Sequence, residues 1–189
     1  AIGKPLAARV FHAVYLPENL QGWRLDNPAA GGGVVLDIVV HDIDTLRFIL
    51  GTEPTEVVSL SQNAGMGDSV EDGNMAAFRF DDGLLAQIHT WFAIKYAGNG
   101  IELHGTEGSL SVSGVLGRSP GSPILLRNAE GEQQISVEHH SLDAETVHLF
   151  VNAINGKGQP AASGEDGVVS MAAALACLQS GKSGTIVNI

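Results

Sequence analysis

Asp37 and His41 stand four positions apart in a stretch of the chain that is otherwise apolar. On a helix this spacing places the two side chains on one face, and Asp44 continues that face. A carboxylate beside an imidazole orients the ring and helps it to give and take a proton at working pH. Spacing alone favours an exposed pair without function. The apolar neighbours Val34-Val35-Leu36 and Ile38-Val39-Val40 instead indicate a half-buried pair, which is a candidate active site.

Three consecutive glycines, Gly31-Gly32-Gly33, lead into this stretch. They do not form a dinucleotide-binding fingerprint, because that motif follows a strand and Pro28-Ala29-Ala30 has no strand pattern. Glycine also lets a backbone come close to its surroundings. The triplet therefore predicts close approach to a ligand or to a neighbouring element.

A metal site is the competing interpretation of the same region, because its side chains include ligand types that suit zinc or manganese. The candidate ligands are His12, Asp37, His41, Asp42 and Asp44. Their order along the chain matches no established ligand pattern, so we predict no metal. The pair His139-His140 is interpreted as a solvated turn and not as a pair of ligands.

Charge and composition narrow the class of protein. The chain has 189 residues and a formal net charge of −11, which disfavours nucleic acids and anionic membranes as partners. Its one cysteine, Cys177, lies in an Ala/Leu-rich run and is predicted to be a buried, reduced thiol. The lack of a second cysteine favours a cytoplasmic location, and no apolar run reaches the roughly 18 residues of a membrane span. The start Ala1–Pro5 is typical of a fragment.

Short apolar runs between turn residues, followed by helical patterns, predict an α+β fold with an open, mostly antiparallel β-sheet. Strands are predicted at Leu6–Tyr15, Val57–Asn63, Asn74–Phe80, Leu84–Trp91, Gly100–His104, Gly108–Val112, Ile124–Arg127, Gln134–Val137 and Thr185–Ile189. Helices are predicted at Val34–Leu50, Leu142–Asn155 and Asp166–Gln179, a hairpin turn at Asp81-Asp82-Gly83, and loops at Pro17–Ala30 and Gly114–Pro123. No linker divides the chain, so residues 1–189 are predicted to form a single domain.

Several motifs in register resemble the Gfo/Idh/MocA family of nicotinamide-dependent sugar oxidoreductases. The main motif is Gly31-Gly32-Gly33-x-x-x-Asp37-x-x-x-His41-x-x-Asp44-x-x-Arg47-Phe48-x-x-Gly51. Further landmarks are Ile2–Pro5, Val70-Glu71-Asp72 and Glu102–Leu110, so the resemblance spans nearly the whole chain. It implies a C-terminal substrate domain with helices packed on one face of the open sheet. The other face is then expected to mediate homo-oligomerisation.

The same resemblance implies roles for individual residues. Asp37 and His41 correspond to the family's catalytic pair: His41 protonates the alkoxide that develops when hydride reaches a sugar-like carbonyl, and Asp37 orients His41 and hydrogen-bonds a substrate hydroxyl. Trp23 and Arg24 fall where sugar reductases of the family contact NADPH. His12 falls at a position that lines their active site and is expected, with Asp37 and His41, to bind substrate.

The family's N-terminal Rossmann domain, and the Glu-Lys-Pro motif whose lysine completes the catalytic set, are not in this sequence. NADP (or NAD) is therefore expected to bind mainly to that absent domain, with a small sugar-like substrate at the present one. Ala144 stands where the reductases carry a tyrosine near the cofactor, so cofactor contact from that helix is not expected. The alternative interpretation is a non-catalytic sugar-binding and oligomerisation module.

Overall fold

A single mixed sheet organises the computed structural model, which describes residues 1–67, 69–117, 121–138 and 140–189. The strands of these residues are β1 (Pro5–Tyr15), β2 (Pro54–Gln62), β3 (Gly73–Phe80), β4 (Leu85–Trp91), β5 (Ala93–Gly105), β6 (Gly108–Ser113), β7 (Ile124–Asn128), β8 (Gly131–Ile135) and β9 (Val187–Asn188). They are ordered β8-β7-β6-β5-β1-β4-β3-β2-β9. β1 and β4 pair in parallel, whereas the other neighbours are antiparallel. The predicted α+β fold with a mostly antiparallel open sheet is confirmed.

Strand β3 shows why these segments form a sheet with two different faces. Asn74, Ala76, Phe78 and Phe80 are buried, and the residues between them are exposed. This period of two sends alternate side chains to opposite faces. The predicted hairpin that follows is confirmed: Gly83 adopts a φ of +86° and its N–H donates to the carbonyl of Phe80.

The predicted strand Gln134–Val137 is wrong in position, since β8 is Gly131–Ile135. Glu132, Gln133 and Gln134 carry no apolar signal, but they pair with β7 across a tight turn that ends at Gly131, whose φ is +119°. On an edge strand, backbone pairing decides the structure while polar side chains remain in solvent. The predicted loop at Gly114–Pro123 is described only outside residues 118–120.

The helical segments are α1 (Trp23–Asp26), α2 (Val40–Leu50), α3 (Leu142–Ile154) and α4 (Gly164–Ser183), with short 3₁₀ turns at Glu18–Leu20 and Pro28–Ala30. The predicted loop Pro17–Ala30 is therefore wrong in part. Asn27 starts the second 3₁₀ turn by accepting a hydrogen bond from the N–H of Ala30, and Pro28 has the preset φ angle that suits the first helical position.

The predicted helix over Val34–Leu50 is confirmed, but its first turn, Val35–Val39, is a π-helical turn that continues directly into α2. Gly51 ends it in the left-handed conformation, as expected from its position. At α4, the predicted end at Gln179 is too early. A Cβ at Gly181 would lie 2.6 Å from Oγ of Ser61 in β2, so glycine is needed here for close helix–sheet packing.

The core lies between one face of the sheet and the helices α2 and α4. α4 packs along β2, and α2 packs on α4. Buried side chains of the sheet, such as Ile88 and Phe78, belong to one hydrophobic cluster with Leu46 of α2 and Ala173 of α4. The opposite face of the sheet is not covered by any helix of the described residues. None of the described helices combines the length and the apolar character that a membrane crossing needs.

Candidate active site

The glycine triplet sets the entry into the π turn by close approach to neighbouring backbone. A Cβ at Gly32 would lie 2.6 Å from the carbonyl oxygen of Trp23. Gly33 has a φ of +106°, and a Cβ there would lie 2.3 Å from Oε1 of Glu71. Of the two predicted reasons for the triplet, the structure shows the second, which is packing against a neighbouring element.

Glu71 caps the start of the π turn. Its carboxylate accepts a hydrogen bond of 3.1 Å from the N–H of Val35, and its carbonyl accepts one of 3.0 Å from the N–H of Val34. Burial raises the pKa of the Glu71 carboxyl, against the opposing effect of hydrogen bonds from the backbone N–H groups of Glu71 itself and of Val35. A carboxylate at this end of a helix satisfies free N–H groups and interacts favourably with the helix dipole. Sequence reasoning used Glu71 only as a family landmark.

Asp37 leaves the π turn towards Arg24 and not towards His41. Nε of Arg24 donates to Oδ1 of Asp37 over 3.2 Å, and both side chains are about one quarter exposed. The guanidinium carbon of Arg24 lies 4.5 Å from the centre of the Trp23 ring, in a cation–π arrangement. The structure thus joins Trp23 and Arg24, which were predicted as cofactor contacts, to the predicted catalytic Asp37.

His41 lies one turn further along and is exposed. The side-chain hydrogen bonds of the described residues include none between His41 and Asp37. The expectation of a half-buried pair is therefore wrong for His41. The reason is that the apolar stripe of this helix faces α4 and the sheet, and His41 stands on the other side of it.

An imidazole–carboxylate pair exists nearby, between His12 and Asp42. Nδ1 of His12 in β1 lies 2.8 Å from Oδ1 of Asp42, and Asp42 is completely buried. Burial raises the pKa of the Asp42 carboxyl, while the hydrogen bond from His12 opposes the rise. Sequence reasoning considered Asp42 only as a metal ligand. A signal was present, because Asp42 falls in the buried stripe formed with Ile38, Val39 and Leu46.

His12 and His41 meet at one cleft of about 1020 Å³. Its described lining is His12, His41, Thr45, Phe48, Ile49, Ile101, Val115, Leu116, Gly117, His140, Ser141, Leu142 and Asp143. Most of this wall is apolar, and its imidazole and hydroxyl groups can form hydrogen bonds with a ligand. Such a surface suits a small ligand that carries both hydroxyl groups and C–H faces. Trp23, Arg24 and Asp37 are not among these lining residues.

The residues of the competing metal interpretation point to separate partners. Oδ1 of Asp44 accepts hydrogen bonds from Arg47 at 3.3 Å and from Ser170 of α4 at 2.8 Å, so this carboxylate faces away from the cleft. Among the described residues, no group of three or more His, Cys, Asp or Glu side chains is placed to hold a metal ion.

Arg47 ties α2 to α4 and was noted in the sequence only as part of the main motif. It is 9% exposed. Its guanidinium donates to Glu53 at 2.8 Å and to Ser170 at 3.0 Å, and forms an ion pair with Asp166 at 3.4 Å. These contacts hold the helix that carries Asp42 and His41 in place against the rest of the fold.

The structure also shows the surroundings of three other residues that the sequence analysis discussed. Cys177 is buried as expected, and burial raises the pKa of its thiol to about 11. Ala144 lies in the first turn of α3, where its N–H donates to the capping Ser141. His140 is exposed beside the cleft, whereas His139 lies outside the described residues.

Comparison with known proteins places these features in one family. The model of the GFO/IDH/MocA C-terminal domain matches residues 1–111. The chain is 52% identical to 1,5-anhydro-D-fructose reductase of Ensifer adhaerens over 189 residues, which is 100% of this chain and 57% of that protein. It is 26% identical to myo-inositol 2-dehydrogenase of Thermotoga maritima over 182 residues, 90% of this chain and 52% of that protein. The chain thus spans little more than half the length of these relatives.

Solved structures share the fold at low sequence identity. Aldose-aldose oxidoreductase from Caulobacter crescentus, complexed with glycerol, superposes with a TM-score of 0.85 at 19% identity and covers 100% of this chain and 56% of that one. Levoglucosan dehydrogenase in complex with NADH gives 0.84 at 21% identity, with 100% and 59% covered.

Proposed function

Because this chain belongs to the GFO/IDH/MocA family, we propose that it is the substrate-side domain of a nicotinamide-dependent oxidoreductase acting on a sugar or sugar-like carbonyl or alcohol. The observation that carries the proposal is the cleft in which His12 and His41 meet within an apolar wall. The identity of 52% to a 1,5-anhydro-D-fructose reductase supports reduction of that type of sugar.

The cofactor would be held mainly by a Rossmann domain outside residues 1–189. In support of this, the glycine triplet is packed against Trp23 and Glu71 and is therefore not free to cradle a diphosphate. Trp23, whose side chain is 44% exposed, and the guanidinium stacked on it fit one wall of a cofactor site. When bound there, a nicotinamide supplies or accepts a hydride. NADP is proposed over NAD from the resemblance to sugar reductases.

His41 is proposed as the group that exchanges a proton with the substrate oxygen. Its imidazole is exposed at the cleft, so it can reach a carbonyl or hydroxyl of a bound sugar. Asp37 acts differently from the expectation, because its carboxylate holds Arg24 over 3.2 Å. Its proposed role is to orient Arg24 and to offer its second oxygen to a substrate hydroxyl.

The apolar side of the cleft would contact the C–H face of a sugar ring and displace water from it. Phe48, Ile49 and Ile101 supply this surface. Exclusion of water strengthens the hydrogen bonds made by the two imidazoles, since the local dielectric constant falls.

The open sheet face is proposed to bind a second copy of the protein. Its exposed apolar side chains are Val58, Leu60, Met75 and Leu85. A sheet surface with several large exposed apolar side chains is costly in water, and a partner would cover it.

The test is turnover by the complete protein that contains this chain. Purified protein is given NADPH or NADH with 1,5-anhydro-D-fructose and a panel of aldoses and keto-inositols, and oxidation of the cofactor is followed by absorbance. Reduction of one of these compounds, unaffected by a metal chelator, supports the proposal. Sugar binding by calorimetry without turnover would instead support the non-catalytic module, and loss of turnover with the chelator would support the metal interpretation.

A further inference from the structure

Asp42 is completely buried, yet one of its carboxylate oxygens reaches the wall of the cleft through His12. We propose that Asp42 is a positioning residue that holds His12 with its proton on Nδ1, so that Nε2 is a fixed hydrogen-bond acceptor for a substrate hydroxyl. The second half of this inference rests on the proposed function.

The position of the shared proton follows from the basicity of the two groups. Nδ1 and Oδ1 lie 2.8 Å apart, which is the length of a charge-assisted hydrogen bond. An imidazole is more basic than a carboxylate by roughly 2.6 pKa units in water. Burial raises the pKa of the Asp42 carboxyl, and the hydrogen bond to His12 opposes that rise. A carboxylate only accepts hydrogen bonds, so the proposal places the shared proton on Nδ1 and leaves Nε2 as the ring nitrogen for a ligand.

The two partners come from rigid parts of the fold. His12 lies in β1 at the centre of the sheet, where it is in register with Thr90 on one side and Asn99 on the other. Asp42 lies in α2, which Arg47 fastens to α4. Because β1 holds the backbone of His12 and Asp42 of α2 holds its ring, the imidazole keeps its orientation when a ligand binds. A fixed orientation is what a residue needs in order to select hydroxyl groups.

Two adjacent residues of α2 have different roles at the cleft. Asp42 points inward and determines which ring nitrogen of His12 carries the proton. His41 points outward and can exchange a proton with the substrate. Among the described lining residues, the other ionisable groups at the cleft are His140 and Asp143, both near the start of α3. A fixed acceptor at His12 beside a proton donor at His41 matches a carbonyl next to a hydroxyl, because the carbonyl oxygen accepts and the hydroxyl donates.

The tautomer of His12 is measured directly by NMR of the complete protein labelled with ¹⁵N-histidine. The spectrum of the wild type is assigned with His12→Gln and recorded at a pH where the ring is neutral. We expect the proton of His12 on Nδ1. In Asp42→Leu this preference should be lost, and in Asp42→Asn, which retains an acceptor oxygen and the side-chain shape, it should be kept in part. Asp26→Leu, a change at an exposed aspartate of α1 outside the described lining of the cleft, is the matched control and should leave the signal unchanged.

Steady-state kinetics then test the role in substrate binding. For Asp42→Leu we expect KM for the sugar to rise about fivefold to tenfold, as for loss of one neutral hydrogen bond, with kcat changed by less than twofold. A His12 proton on Nε2 in the wild type overturns the inference. So does an unchanged KM in a variant whose tautomer has changed. If the complete protein turns over no sugar, the proposed function fails with the substrate half of the inference, while the spectrum still decides the role of Asp42.

Discussion

The two faces of the sheet differ in an unusual way: the covered face contains buried polar groups, and the open face contains exposed apolar groups. On the face covered by α2 and α4, the structure buries polar side chains such as Asp42, Asn74 and Thr90. On the open face, large apolar side chains such as Leu60 and Met75 are 74% and 45% exposed. Burial of these polar groups costs stability, and Oδ2 of Asp42 and Oγ1 of Thr90 have no hydrogen-bond partner among the described residues. Buried polar groups of this kind are typical of a site. No helix of the described residues covers the open face, and exposed apolar side chains there are typical of an interface.

Strand β1 belongs to both faces and shows how they are kept apart. His12 points to the covered face, and its neighbour Phe11 points to the open face, where its ring leaves room only for a glycine at Gly100. Because alternate residues of a strand face opposite ways, a shift of one residue in register would exchange the two surfaces. The long pairing of β1 with β4 and β5 prevents such a shift.

The largest effect is expected at the covered face, at His41. His41→Ala in the complete protein should lower kcat by roughly 100-fold, because it removes the group that protonates the substrate oxygen. The measurement is kcat with saturating substrate and cofactor. Val168→Ala, an exposed position of α4 away from the cleft, controls for general damage. Near-normal turnover by the His41 variant would remove this residue from the mechanism.

The second prediction compares the loss of folding stability when either of two carboxylates of the same helical segment is removed. Asp42→Ala should destabilise the fold by about 2 kcal/mol, because it leaves Nδ1 of His12 without its partner and opens a buried space. Asp37→Ala should cost less than about 1 kcal/mol, because the ion pair with Arg24 is partly exposed.

Both changes in the free energy of unfolding are measured by urea denaturation. The slope m, which relates this free energy to the urea concentration, should be the same in the variants and the wild type. Equal losses of stability in the two variants would contradict the distinction between a buried and a surface carboxylate.

The open face is tested by placing charge on it. Leu60→Glu should convert an oligomer into a monomer, because Leu60 pairs with Met75 in the middle of the exposed apolar surface. The molar mass is read from sedimentation equilibrium. Val168→Glu makes the same change at a residue that is 70% exposed on α4 and should leave the assembly intact. A wild type that is monomeric at all concentrations would end the proposal of an interface here.

The smallest effect concerns the dependence of stability on pH. Burial raises the pKa of Glu71 in the folded chain. The folded state therefore binds its proton more tightly than the unfolded state does. The contribution of Glu71 to stability is present at pH below the usual carboxyl range and is lost as the pH rises through the folded pKa. Glu71→Gln should make the loss of stability over this range smaller, since glutamine can still accept from the N–H of Val35.

The comparison is thermal unfolding of the two proteins at a series of pH values from acid to neutral. A steeper fall of stability in Glu71→Gln would show that this carboxyl is stabilised in its charged form.

Local pattern predicted much of the fold, and the misses have identifiable causes. Short apolar runs between turn residues predicted β3, and the helix predicted from Asp166 begins within the first turn of α4. The predicted end of α4 was too early, since the helix continues through Gly181, where close contact with Ser61 favours glycine. The predicted bounds of β8 were wrong because edge pairing tolerates polar side chains. Packing against the distant strand β2 decides the end of α4, and pairing with the neighbouring strand β7 decides the bounds of β8. Neither can be read from the apolar pattern of the segment itself.

For the candidate site, too, some features were predicted from the sequence and others depend on the tertiary structure. Residue types and spacing identified the helix that carries Asp37 and His41, and the resemblance added His12, Trp23 and Arg24. Spacing also suggested that Asp37 pairs with His41, but only the tertiary structure decides partners. Asp37 meets Arg24 because α1 packs beside the π turn, and Asp42 meets His12 because α2 crosses β1. The sequence by itself determined which groups can do chemistry and on which elements they lie. The tertiary structure decided which of them touch, because those contacts join residues 13 and 30 positions apart and depend on how helix and sheet pack.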